Sequence, residues 1–294
     1  MAECRHYCVA GFHFSVQAAP EVLAVMTNYE PFVVEQAPAE EIFSVEVVPA
    51  IAINADDLAH VFTDSSDDDM PRIEVYRRGT DWLLQVSMYK DSDICTRILA
   101  DEAFHRVQLE IRTENVRFAL DNACMLIYAF STAKLGALEM HASVTVQNDK
   151  GYLFLGKSGT GKSTHSRLWQ QAYEDAALLN DDNPVLRLLP DGTVRVYGSP
   201  WSGKTPCYIN RDVPVGAIVK LSQAPHNEIR SLRLPEAYAY MLSSASGLKI
   251  VPEMMDALYA TIAAIIQIVP VYGLECLPDV EAAHVCHDRV TASN

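Results

Sequence analysis

The chain has 294 residues, 49% of them hydrophobic, and a formal net charge of −15. That is enough apolar material for a large core in one big domain or two smaller ones, and it excludes a disordered chain. The acidity excludes a broad basic face, so neither nucleic acid nor an anionic membrane is expected as a partner.

Seven cysteines, an odd number without C-x-x-C spacing, read as reduced thiols in a cytoplasmic protein. Cys4, His6 and Cys8 have no second cluster at zinc-site spacing. Met1 to Cys8 lacks the apolar core of a signal peptide. The most apolar run, Ala257 to Val269, is too short to span a bilayer.

In chain order, Phe12 to about Thr113 alternates short β-rich runs with polar breaks. Phe43 to Val48, Arg72 to Tyr76, Trp82 to Met88 and Arg106 to Ile111 show the period-two pattern of antiparallel strands with one wet face. The acidic run Thr63 to Asp69 lacks the glycine and closing glutamate of an EF-hand and reads as a solvated loop. This half, residues 1–114, carries no catalytic constellation; scaffold, substrate recruitment and subunit contact are its open roles.

Residues 115–294 form the second expected domain. Asn115 to Leu135 has helical periodicity and stops at Gly136. Ala137 to Val146 reads as one strand, carrying His141, and the turn Asn148-Asp-Lys-Gly151 makes a hairpin with the next strand. That strand runs into Gly156-Lys157-Ser158-Gly159-Thr160-Gly161-Lys162-Ser163-Thr164, which fills G-x-x-x-x-G-K-[ST]. Glycines let successive backbone N–H groups turn inward onto phosphate oxygens. Lys162 suits the β- and γ-phosphates, Ser163 a Mg²⁺ ion, and the following helix start an anion. The motif therefore predicts a bound nucleotide.

Beyond the loop helix, Ala176 to Asn180 is a short apolar run ending in Asp181 and Asp182. A strand next to the nucleotide strand would deliver one carboxylate to Mg²⁺ and a second to accept a hydroxyl proton. Val185 to Leu189 and Thr193 to Tyr197 read as a hairpin around Pro190-Asp-Gly192. It leads into Gly198 to Lys204, where Trp201 and Lys204 belong either to a packed turn or to a substrate or phosphate clamp. Arg211 fits an anionic substrate or a surface ion pair equally well. A strand at Gly216 to Leu221, helices at Pro235 to Leu242 and Pro252 to Val269, a strand at Val269 to Cys276 and a short terminal helix complete the chain.

Met140-His-Ala-Ser143, the loop Gly156 to Ser163 and Leu178-Leu-Asn-Asp-Asp182 follow one another as in HPr kinase/phosphorylase. They are also similar to the nucleotide half of ATP-dependent phosphoenolpyruvate carboxykinase. The short interval from loop to aspartate pair is shared with both families. The second HPr kinase signature and the carboxykinase oxaloacetate motif are missing, so the chain most resembles the HPr kinase-related proteins of bacteria.

The resemblance implies an α+β, mixed α/β fold in which a β-rich N-terminal region precedes a P-loop core with helices. It places His141 at the phosphate and metal site, and gives metal contact and base to Asp181 and Asp182 in an order left open. It also implies a homo-oligomer. The expected function is a Mg²⁺-dependent kinase moving the γ-phosphoryl of ATP to a hydroxyl on a protein serine or small molecule. The alternative is a nucleotide-binding sensor that transfers nothing.

Overall fold

The structure is a computed structural model that describes residues 2–64, 71–203, 205–247 and 251–292. Lys204 and most of the acidic loop lie outside them. The chain divides into two compact units, Met1–Thr132 and Ala133–Asn294.

The first unit contains β1 (Glu3–Val9), β2 (Phe12–Ala18), the short helix α1 (Pro20–Leu23), β3 (Val33–Val34), β4 (Phe43–Val47) and β5 (Ala59–Asp64). It continues through β6 (Arg72–Arg78), β7 (Asp81–Ser87), β8 (Ile94–Ala100), β9 (Arg106–Ile111) and helix α2 (Val116–Thr132). Among the described residues its strands lie in the order β3-β1-β2-β4-β9-β8-β7-β6-β5. The hairpins are antiparallel as expected, but β4 runs parallel to both β2 and β9. A parallel pair needs a crossover rather than a tight turn, and α1 with the segment after it supplies one.

Alternation puts Tyr7, Phe14, Phe43 and Leu109 in the core with Leu120 and Ile127 of α2. The Tyr128 hydroxyl donates to the Val9 carbonyl at 3.0 Å. This packing assigns α2 to the first unit, so the boundary falls after the helix and not, as the sequence reading has it, before it.

The second unit contains β10 (Ala137–Glu139), β11 (Ala142–Gln147), β12 (Lys150–Leu155), α3 (Lys162–Ala172), β13 (Ala177–Asp182), β14 (Val185–Leu188) and β15 (Val194–Tyr197). After these come β16 (Asp212–Gln223), β17 (Glu228–Ser231), α4 (Leu234–Ser244), α5 (Pro252–Ile268), β18 (Val271–Cys276) and α6 (Val280–Thr291). The sheet order is β10-β14-β15-β16-β12-β11-β13, with β18 pairing both β16 and β17.

Strands β12 and β16 are apolar at every core position because both of their faces are covered. Tyr152, Phe154, Ala217 and Val219 pack with Trp169 of α3 and Cys286 and Val290 of α6. Leu153, Leu155 and Ile218 pack with Met241 of α4 and Leu258, Ile262 and Ile265 of α5. Among the described residues no helix is long and apolar enough to cross a membrane.

Candidate functional site

The site lies at the end of the second sheet where β12 stops. The turn Asn148-Asp149, with φ of 49° and 56°, folds β11 back onto β12 and pairs Ala142 with Leu155. Strand β13 pairs with β11 and not with β12, so the aspartate strand is one strand further from the loop than the sequence reading has it. Two successive antiparallel pairings leave β13 running in the same sense as β12. Its carboxyl end therefore reaches the loop side, with Ala142 opposite Asp182.

The expected single strand from Ala137 to Val146 is broken at Met140 and His141. Strand β10 pairs with β14 while β11 pairs with β12. The break leaves His141 beside the start of β11, at the same end.

Loop residues 156–161 join β12 to α3. Gly159 has φ of 75° and Gly161 of 110°, with open space where a Cβ would stand, whereas a Cβ at Gly156 would lie 3.0 Å from Thr160. Such backbone favours glycine. Gly161 is the N-cap of α3 and has no side chain to satisfy the first-turn N–H groups. Helix α3 is held to the sheet by Trp169, which stacks on Tyr152 and donates from Nε1 to Gln147 at 2.9 Å, and by a buried Ser143–Ser166 hydroxyl bond of 2.6 Å. Lys157, Ser158, Gly159 and Ser163 are exposed; Thr160 and Thr164 are half-buried.

Lys162 Nζ donates to the Gly156 carbonyl at 3.0 Å and to His141 Nε2 at 2.7 Å. His141 Nδ1 lies 2.9 Å from Asp182 Oδ1. Because an ammonium only donates and a carboxylate only accepts, a neutral His141 with its proton on Nδ1 satisfies both neighbours. Burial pulls the Lys162 pKa down, opposed by the Asp182 and Asp181 carboxylates.

Asp182 has φ of 137°, a region that side chains rarely adopt and that costs on the order of 1–3 kcal/mol. Its partners hold it there: Asn183 Nδ2 donates to Oδ2 at 3.2 Å, and Gly203 packs where a Cβ would meet the Asp182 Cβ at 3.2 Å. Asp181 is buried, with only 4% of its surface exposed. Asp181, Asp182 and the Ser163 hydroxyl are hard oxygen donors of the kind Mg²⁺ takes. Among the described residues no three His, Cys, Asp or Glu side chains form a metal-holding group.

The structure thus brings His141, Lys162, Asp181 and Asp182 to one end of the sheet with the loop. It does not bring Arg211 there. Arg211 pairs at 2.9 Å with Asp149 in the β11–β12 turn, at the opposite end of β12. The Trp201 side chain is buried, 3% exposed, which favours the packed turn over the clamp.

Two further residues shape the site without standing out in the sequence. Asn180 donates to Ser199 Oγ at 3.1 Å and to the Trp201 carbonyl at 3.1 Å, pinning that loop beside the aspartates. Its one sequence signal is an amide closing an apolar strand. Glu139 is fully buried. Neither of its carboxyl oxygens has a hydrogen-bond partner among the described residues, and burial, then the Asp182 charge, push its pKa well up.

A family model described as SynChlorMet cassette protein ScmC matches residues 108–277, more than half of the chain. No curated protein matches. Among solved structures, the Hpr(Ser) kinase/phosphatase from Coxiella burnetii matches at 14% identity, covering 53% of this chain and 99% of that one, with a TM-score of 0.32.

Proposed function

We propose that this chain, which belongs to the SynChlorMet cassette protein ScmC family, is an ATP-dependent phosphotransferase acting on a hydroxyl-bearing protein or small molecule. The observation that carries this reading is the hydrogen-bonded line Asp182–His141–Lys162 closing against the glycine loop.

The backbone N–H groups of the loop and the uncapped start of α3 suit the β- and γ-phosphates of ATP. Lys162 Nζ exchanges its carbonyl contacts for phosphate oxygens and offsets the charge that spreads over the moving phosphoryl group. Ser163, Asp181 and Asp182 are the residues that would hold Mg²⁺, which when bound neutralises β- and γ-phosphate charge. The aspartate pair also supplies the acceptor for the hydroxyl proton. His141 holds Lys162 and Asp182 at fixed separation, so the positive and negative sides of the site stay aligned.

The test is calorimetric binding of MgATP and MgADP together with steady-state turnover. Lys162→Ala should lose most ATP affinity, and Asp181→Asn and Asp182→Asn should lose turnover while keeping the wild-type melting temperature. Wild-type turnover in all three variants contradicts the proposal.

A further inference from the structure

The first unit carries a second group of reactive side chains that the nucleotide chemistry does not use. Strands β1 and β2 pair His6 with Ser15 and Cys4 with Gln17, so Cys4, His6 and Ser15 share the sheet face opposite Tyr7 and Phe14. Glu41, just before β4, reaches onto this face. Its Oε1 lies 2.6 Å from His6 Nδ1, and its Oε2 accepts from the Ser15 hydroxyl at 2.7 Å. A carboxylate accepts only, so the Nδ1 of His6 carries a proton. The other ring nitrogen, Nε2, lies 3.9 Å from Cys4 Sγ.

A thiol beside an imidazole that is itself oriented by a carboxylate is the arrangement that activates a nucleophile. Cys4 and Ser15 also line a cavity of about 400 Å³ on the same face, together with Gln17, Ser44, Glu46 and Gln108. That volume is within the range of small-molecule sites.

We infer that Cys4, His6 and Glu41 form a thiol acyl-transfer site that takes the acyl group of a thioester or activated ester. Cys4 Sγ attacks the acyl carbon while His6 Nε2 takes the thiol proton. The carbonyl re-forms, the bond to the leaving group breaks, and the leaving thiol or alcohol departs with the proton from His6. Cys4 is left as an S-acyl thioester, with no change of oxidation state. Glu41 is the positioning residue, and Ser15 fixes its second oxygen.

Burial raises the Cys4 thiol pKa, with the Ser15 hydroxyl lowering it and the Glu41 charge raising it. The thiol therefore stays protonated near neutrality and depends on a base, as the geometry provides. The cavity gives the acyl chain room beside the sulfur.

The test uses the full chain with 4-nitrophenyl acetate, followed by nitrophenolate release and peptide mass mapping. One acetyl group on Cys4, released in a stoichiometric burst, is the expected result, with Cys8 and Cys276 as slower internal references. His6→Ala should slow acetylation of Cys4 by about a hundredfold or more, within the usual range for general-base loss. Added imidazole should restore part of the rate, which a merely misfolded variant would not allow. Glu41→Gln should slow it less and Glu41→Asp should recover part. Equal labelling of Cys4 in the wild type and His6→Ala, or a Cys4 rate no higher than that of Cys8, overturns the inference.

Discussion

Substitution of His141 separates two roles that its contacts allow. The ring accepts from Lys162 at 2.7 Å and faces Asp182 at 2.9 Å. Hydrogen bonds to charged groups contribute about 1.5–3 kcal/mol each. The His141 and Asp182 side chains are 30% and 34% exposed, so solvent screening places each contact near the low end, about 1.5 kcal/mol or a tenfold rate effect. His141→Ala removes both and should lower kcat by about a hundredfold. In His141→Asn the amide NH₂ stands near Nδ1 and keeps the donation to Asp182. In His141→Gln the amide oxygen stands near Nε2 and keeps the acceptance from Lys162. Each should therefore lose only about tenfold.

The assay is steady-state MgATP turnover with the acceptor, alongside nucleotide affinity and melting temperature. Gln should retain more ATP affinity than Asn, because it still orients the lysine. Kinetics within threefold of wild type in His141→Ala refute any part for the ring. Equal losses of about 10⁴-fold in all three variants refute the positioning argument and assign His141 a proton-transfer role instead.

Three other outcomes follow from the same geometry. Gly161→Ala forces an L side chain into φ of 110°, so it should cost about 1–3 kcal/mol and weaken nucleotide binding; a fully stable variant with wild-type affinity would mean the loop does not need this conformation. Burial holds the His165 pKa down to about 4, so the native state resists protonation that the unfolded chain accepts. Its stability contribution is complete above about pH 6.5 and should fall by about 3 kcal/mol as pH drops towards 4, and His165→Phe should flatten that slope in urea titrations. Arg211→Ala removes an exposed pair at the far end of β12 and should change stability by less than about 0.5 kcal/mol and leave turnover unchanged; a large loss of turnover would place an acceptor contact there.

The loop and its carboxylates were legible because their signals are local. Gly159 and Gly161 sit at positive φ, and the Asn148-Asp149 turn and the helix starting at Lys162 are written in consecutive residues. Within the helix read over Pro252 to Val269, the apolar face Met254, Leu258, Ile262, Ile265 and Val269 is buried throughout. What could not be read depends on partners distant in sequence. The parallel setting of β4 is decided by which strands flank it. The break at His141 separates the residues that pair with β14 from those that pair with β12. The assignment of α2 follows from the Tyr128 bond to Val9, more than a hundred residues away in sequence. The sequence leaves Arg211 open between an anionic substrate and a surface ion pair because it does not say which end of the sheet the residue occupies, and its pair with Asp149 is the second of these. The group Cys4, His6 and Glu41 was invisible for the same reason, since Glu41 joins it only through the fold.

The most direct measurement of the central claim is transfer of label from γ-³²P-ATP with Mg²⁺ into cell extract split into protein and small-molecule fractions, with Lys162→Ala as control. Label is expected in one fraction only with the native chain, which names the class of acceptor. Tight nucleotide binding with no label moved into either fraction would contradict it and leave a nucleotide-binding sensor in its place.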